Sequence, residues 1–145
     1  MVKQKRRKRR SRSVGRSDEG GAQPYGKISE AVVDLARPWL ERLGPNPPSA
    51  VVAMGYQLCG LIWNVTRLRS MEIREAEFAR VLRDVVAKAP DGTERELQQF
   101  AVGVYHRALV LYPDDPRHVV DVAIENRAAG RFHVTVVSLV GSEGA

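Results

Sequence analysis

The chain has 145 residues, 43% of them hydrophobic and 28% charged, with a single cysteine. A chain of this size buries roughly two-thirds of the surface that its unfolded form exposes, enough for one core without a disulfide or a structural metal. Cys59 has no second cysteine to pair with, which excludes an intrachain disulfide and agrees with a reducing, cytoplasmic setting.

The net charge of +6 hides an uneven arrangement. Residues 1–16 carry nine basic side chains (Lys3, Lys5, Arg6, Arg7, Lys8, Arg9, Arg10, Arg12 and Arg16) and no acid, which leaves 14 of the 23 Lys/Arg to face all 17 Asp/Glu, a net of −3. The run from Lys3 to Arg10 repels itself and has nothing apolar to bury. Ser17 to Pro24 has the Gly, Ser and acid content of a flexible linker. Residues 1–26 are therefore expected to form a disordered basic tail and linker, with 27–145 as one globular domain. No apolar run follows the first charges as a secretory signal requires, and the Arg-rich segment lacks the apolar face of a transit peptide.

Ile28, Val32, Leu35, Ala36, Trp39 and Leu43 recur at helical spacing. Ser29 or a residue just before it is the expected cap, Pro38 is expected to kink or break this first helix, and Gly44-Pro45 to stop it. A second helix is expected from Pro48 to Arg67. It spans the most hydrophobic stretch, Ala50 to Val65, which is too short and too interrupted (Gly55, Gln57, Gly60) to cross a bilayer. Its apolar residues leave little polar face, so it belongs at the centre of a bundle. Gly55 and Gly60 each cost about 1 kcal/mol of helix propensity against Ala, and close approach by a neighbour would explain them.

A third helix is expected from Met71 to Lys88, with Glu72, Glu75 and Glu77 early and Arg80, Arg83 and Lys88 late, as the helix dipole favours. Its expected buried face is Phe78, Val81, Leu82, Val85 and Val86. Pro90-Asp91-Gly92 marks a turn, and Thr93 with Glu96 fits a capping box. Leu97, Phe100, Ala101, Val104, Ala108 and Leu111 mark a fourth helix ending at Tyr112-Pro113. The period then changes. Val120, Val122 and Ile124 alternate with Asp121, Ala123 and Glu125 as in a strand, Asn126 to Arg131 reads as a turn, and Phe132 to Val140 as a second strand. The fold class is α+β, mainly α: a four-helix body packed around its second helix, with a C-terminal antiparallel hairpin. A lone two-stranded ribbon is marginal in water, so the hairpin must lie on the helices or pair with another chain.

The basic tail is the strongest functional signal, since Lys and Arg neutralise phosphates and release counterions whatever the base sequence. It contains no aromatic for base stacking. In a eukaryote the same run would serve nuclear import. The three histidines, His106, His118 and His133, together with Asp114, Asp115 and Asp121, match no metal-ligand spacing. Cys59 sits in the most apolar helix and reads as core rather than nucleophile. No Ser elbow and no Gly-rich phosphate loop is present, so no cofactor is expected. Trp39 and Trp63 read as core or rim aromatics, and Arg117 is a candidate partner for Asp114 or Asp115.

Trp63-Asn64 in a buried helix, the string Tyr112-Pro113-Asp114-Asp115-Pro116-Arg117 and a hairpin ending near Ser138-Leu139 resemble a type of small uncharacterised bacterial protein. In that type a Trp-Asn helix precedes an aromatic-Pro-Asp-Asp turn and a strand. The resemblance covers residues 28–140 and implies the same architecture but no activity; here Tyr112 stands in place of Phe and Pro116 enters the turn.

These readings make the chain a non-catalytic binding or adaptor protein. Its tail is expected to contact DNA or RNA, and its body another protein, with a second copy through the hairpin edge as one option. No membrane partner is expected. The alternative is a small enzyme or metal-dependent hydrolase using the 114–121 loop and nearby histidines.

Overall fold

A computed structural model of the chain describes residues 26–127 and 131–140. The expected disordered tail, with its nine basic residues, lies outside the described residues, as does the centre of the hairpin turn. Four helices, α1 (Ile28–Leu43), α2 (Ser49–Thr66), α3 (Met71–Ala87) and α4 (Glu94–Leu111), precede two strands, β1 (Arg117–Asn126) and β2 (Phe132–Val140). The strands pair antiparallel. This is the mainly helical α+β arrangement that the apolar periodicities imply.

α2 occupies the centre, packing against α1, α3, α4 and β1, while α1 also backs β2. Val52, Leu58, Cys59, Ile62 and Trp63 of α2 are buried. One row stays in solvent, where Gln57 and Leu61 lie a turn apart. Both α2 glycines sit under neighbours. A Cβ on Gly55 would overlap the Trp39 indole, and one on Gly60 would meet Val122 Cγ2 at 3.0 Å and Val119 Cγ1 at 3.1 Å. α1 thus reaches α2 at the first glycine and β1 reaches it at the second. α3 is the least buried helix. Only Val81 is fully buried on it, and Phe78, stacked on Tyr105 of α4 with centroids 4.3 Å apart, holds it to the body.

One local expectation is corrected and two are narrowed. α1 runs unbroken through Pro38 to Leu43. Proline removes the N–H that would bond the Asp34 carbonyl four residues back, but Arg107 of α4 donates from Nη2 to Asp34 O at 2.9 Å and from Nη1 to Leu35 O at 3.2 Å. Of the expected cap positions, Ser29 or a residue just before it, the earlier one is taken: Lys27 caps α1, without a side-chain bond. The capping box at Thr93 and Glu96 does not form. Thr93 Oγ1 turns back to donate to Pro90 O at 2.6 Å, and Glu94 accepts from Gly92 N at 3.2 Å, which ties up the preceding turn instead. The side-chain cap that does form is Ser70, which accepts from Ile73 N at 3.2 Å at the start of α3.

The strand alternation is also interrupted. The register slips between Val119 and Asp121, so Val120 is an extra residue opposite β2. Val119 and Val122 face the helices, while Val120, 58% exposed, faces out. A bulge of this kind moves one residue to the other face of the sheet.

Candidate functional site

The last two turns of α2 build the junction where the segment before α1, the α4–β1 loop and the hairpin meet. Trp63, Asn64 and Arg67 lie at helical spacing that turns all three toward that loop. Trp63 Nε1 donates to Arg117 O at 2.8 Å. The Asn64 amide donates from Nδ2 to Val119 O and accepts from Val119 N through Oδ1, both at 2.7 Å. A side-chain amide thereby does for Val119 what a neighbouring strand would do, and the outer edge of β1 is closed at its start. Arg67 Nη1 donates to Asp115 O at 2.6 Å, and its guanidinium lies over the Trp63 ring, 4.5 Å from the centroid. Burial lowers the Arg67 pKa from its ordinary value, while Asp115 and Asp114 act in the opposite direction.

Beneath this lies an ion pair that is almost fully buried. Arg117 Nε donates to Asp115 Oδ1 at 3.0 Å and Nη2 to Oδ2 at 2.7 Å, with the two side chains 4% and 0% exposed. The Arg117 backbone N–H adds a third bond to the same carboxylate, at 3.1 Å. The fork matches the carboxylate in plane, the geometry that makes Arg the usual partner for a buried acid. Arg117 therefore pairs with Asp115, and Asp114 stays exposed. The remaining arm, Nη1, donates to Gly26 O at 2.9 Å. Gly26 has φ +73°, a conformation that suits glycine. Because Arg117 stands opposite Val140 in the ladder, Gly26 lies at the end of the hairpin where β1 begins and β2 stops.

The nine tail residues expected to meet nucleic acid lie outside the described residues. The residues of the alternative hydrolase reading are spread out. His118 stands opposite Leu139, Asp121 opposite Val137 and His133 opposite Glu125. The two strand histidines are thus at opposite ends of the hairpin, about 20 Å apart by strand rise. His106 is exposed on α4. Among the described residues no three His, Cys, Asp or Glu side chains group as metal ligands. Cys59 is fully buried, and burial pushes its thiol pKa up, away from the reactive thiolate. Among the described residues no helix is long and apolar enough to cross a membrane.

Sequence reasoning gave Asn64 and Arg67 no role. The available signal was chemical: an amide and a guanidinium beside a Trp on an otherwise apolar helix must find partners when buried. Compared with protein-family models, curated proteins and solved structures, the chain has no match.

Proposed function

We propose that the chain is a non-catalytic binding module, acting in the cytoplasm, whose tail contacts the phosphate backbone of DNA or RNA and whose body associates with protein. The observation that carries this reading is the charge arrangement: nine Lys/Arg and no acid in residues 1–16, set against a net of −3 in the remainder. Such segregation concentrates phosphate-neutralising charge on the tail and leaves the body unattractive to polyanions.

The test is binding of the full chain to mixed duplex DNA and to structured RNA across a salt series, beside a variant with Arg6, Arg7, Arg9 and Arg10 replaced by Gln. Affinity is expected to fall steeply with salt, with a log–log slope no steeper than about −8 if all nine charges meet duplex phosphates. The variant is expected to lose about four charges' worth of that slope. No binding of the full chain at low salt overturns the reading.

A further inference from the structure

The outer edge of β2 is open along its length, whereas that of β1 is closed at its start, and the chemistry of β2 selects its partner. The Asn64 amide takes both backbone groups of Val119, so these point away from β2. Antiparallel ladders alternate bonded and non-bonded pairs. Ser138, opposite Val119, therefore directs its own N–H and C=O to the outer side of β2. β2 has no bulge, so Val136, Val134 and Phe132 follow the same parity. Among the described residues, no hydrogen bond from a helix or loop ends on these groups.

The two edges differ in how they are guarded. β1 begins with its outer carbonyls at Arg117 and Val119 occupied by Trp63 and Asn64, contains a bulge, and carries Asp121 and Glu125. β2 reads Phe-His-Val-Thr-Val-Val-Ser-Leu-Val. It has no Lys, Arg, Asp, Glu or Pro, the residues with which exposed edges are usually protected. Val137 and Leu139 on its outward face are 40% and 62% exposed.

We propose that β2 pairs antiparallel with β2 of a second copy, joining two hairpins into one four-stranded sheet. Charge favours this occupant. Across a two-fold axis at Val136, Thr135 faces Val137 of the other copy and His133 faces Leu139, so no charge meets a like charge. Thr and Val are β-branched and suit such cross-strand contact. The blocked start and the bulge of β1 favour pairing through β2 as well: β2 offers an outward edge unbroken from Phe132 to Ser138, whereas that of β1 is interrupted at Val119 and Val120. Four strands are also a common sheet size, whereas two are marginal. The proposal rests on the reading of the body as an association module and is independent of what the tail binds.

The experiment is sedimentation equilibrium of the full chain over a wide concentration range, with hydrogen exchange read at the Val134, Val136 and Ser138 amides. The wild type is expected to dimerise, with exchange at those amides slowing as the dimer fills. Val137→Lys sets a charge on the exposed face beside the seam, and Val134→Pro removes an outward N–H without taking a bond from β1. Each is expected to weaken the dimer about tenfold or more. Val120→Lys, on the outward face of β1, is expected to leave it unchanged. Circular dichroism confirms that the variants fold. A chain that stays monomeric at its highest soluble concentration overturns the proposal. So does a Val120→Lys effect as large as that of Val137→Lys, which would mean that sheet faces meet rather than edges. Absence of nucleic-acid binding by the full chain at low salt, with the dimer intact, counts against the tail reading alone.

Discussion

Arg107 bonds the Asp34 carbonyl that Pro38 leaves without its helical partner. The guanidinium reaches it from α4, 73 positions along the chain, at 2.9 Å. A proline inside a helix ordinarily costs about 3 kcal/mol, partly through that orphaned carbonyl. Here the bond from Arg107 offsets part of the cost and fastens α4 to α1. Arg107→Met is expected to destabilise the wild type by about 1–2 kcal/mol. The same change in a Pro38→Ala background, where the helix can restore its own bond, should cost less by about 0.5–1 kcal/mol. Urea unfolding of the four proteins closes the cycle, and equal costs in both backgrounds would show that the two residues are not coupled.

Asn64 holds β1 to α2 through two bonds to one residue. Asn64→Leu is close in volume and removes both, leaving the Val119 N–H and C=O without partners in a partly buried place. The expected loss is about 2 kcal/mol or more. Exchange at the Val119 amide should accelerate well beyond that of β2 amides bonded within the hairpin. A stability change within the noise of surface substitutions would mean that the clamp is dispensable.

The glycines in α2 and α4 separate packing from propensity. Gly103 lies inside α4, and a Cβ there meets nothing within 4 Å, so Gly103→Ala is expected to stabilise by about 0.5–1 kcal/mol. Gly55→Ala gains the same propensity but drives a methyl into Trp39. That ring is 2% exposed and donates to Val51 O at 3.2 Å. The net expectation is a loss of about 1–3 kcal/mol, with a red shift in tryptophan emission. Thermal melts of the two variants should therefore move in opposite directions.

The contrast between these positions shows what a sequence can carry. The four helices and the hairpin are legible because their apolar residues repeat at 3.6 and 2 and because Gly44-Pro45, Pro90-Asp91-Gly92 and Pro113 punctuate them. The continuity of α1 is not legible, because the group that rescues Pro38 comes from another helix. The outward turn of Val120 is hidden for a similar reason: its place depends on Asn64 gripping Val119, 55 positions away. At Thr93 and Glu96 the local pattern fits a cap, but Pro90 O competes for the same hydroxyl and wins. For the proposed function, composition alone marks the tail, since charge needs no partner in the chain to be visible. The Asp115–Arg117–Gly26 junction was legible only to the extent that an acid and an Arg stand two residues apart.

Cys59 gives the fold an alkaline limit. Burial raises its thiol above an ordinary value of 9.0, so the native state favours the protonated form. The unfolded chain ionises first. The contribution of this site is therefore complete below pH 9 and is lost progressively as pH rises above it, by about 1.4 kcal/mol per unit. Tyr56 and Tyr112, also raised by burial from 10.0, add to the slope at higher pH. Between pH 9 and 10 the stability of Cys59→Ala should fall less steeply than that of the wild type. Parallel curves for the two proteins would remove Cys59 as the cause.

Asp115 and Arg117 join the stability of the body to the position of the tail. Asp115→Asn leaves the Arg117 guanidinium buried with a neutral partner, which typically costs about 3–5 kcal/mol. Replacing both members, Asp115→Asn with Arg117→Met, removes the uncompensated charge, so the double variant should be more stable than Asp115→Asn alone. It should not return to the wild type, because Gly26 O then has no donor from Arg117 and the root of the tail is released. Limited proteolysis near Gly26 distinguishes the two effects. Cleavage there should be fast in the double variant even under conditions where its body is folded. If the double variant is as unstable as the single one, the loss comes from the Asp115 bonds to the Arg117 backbone and not from the buried charge.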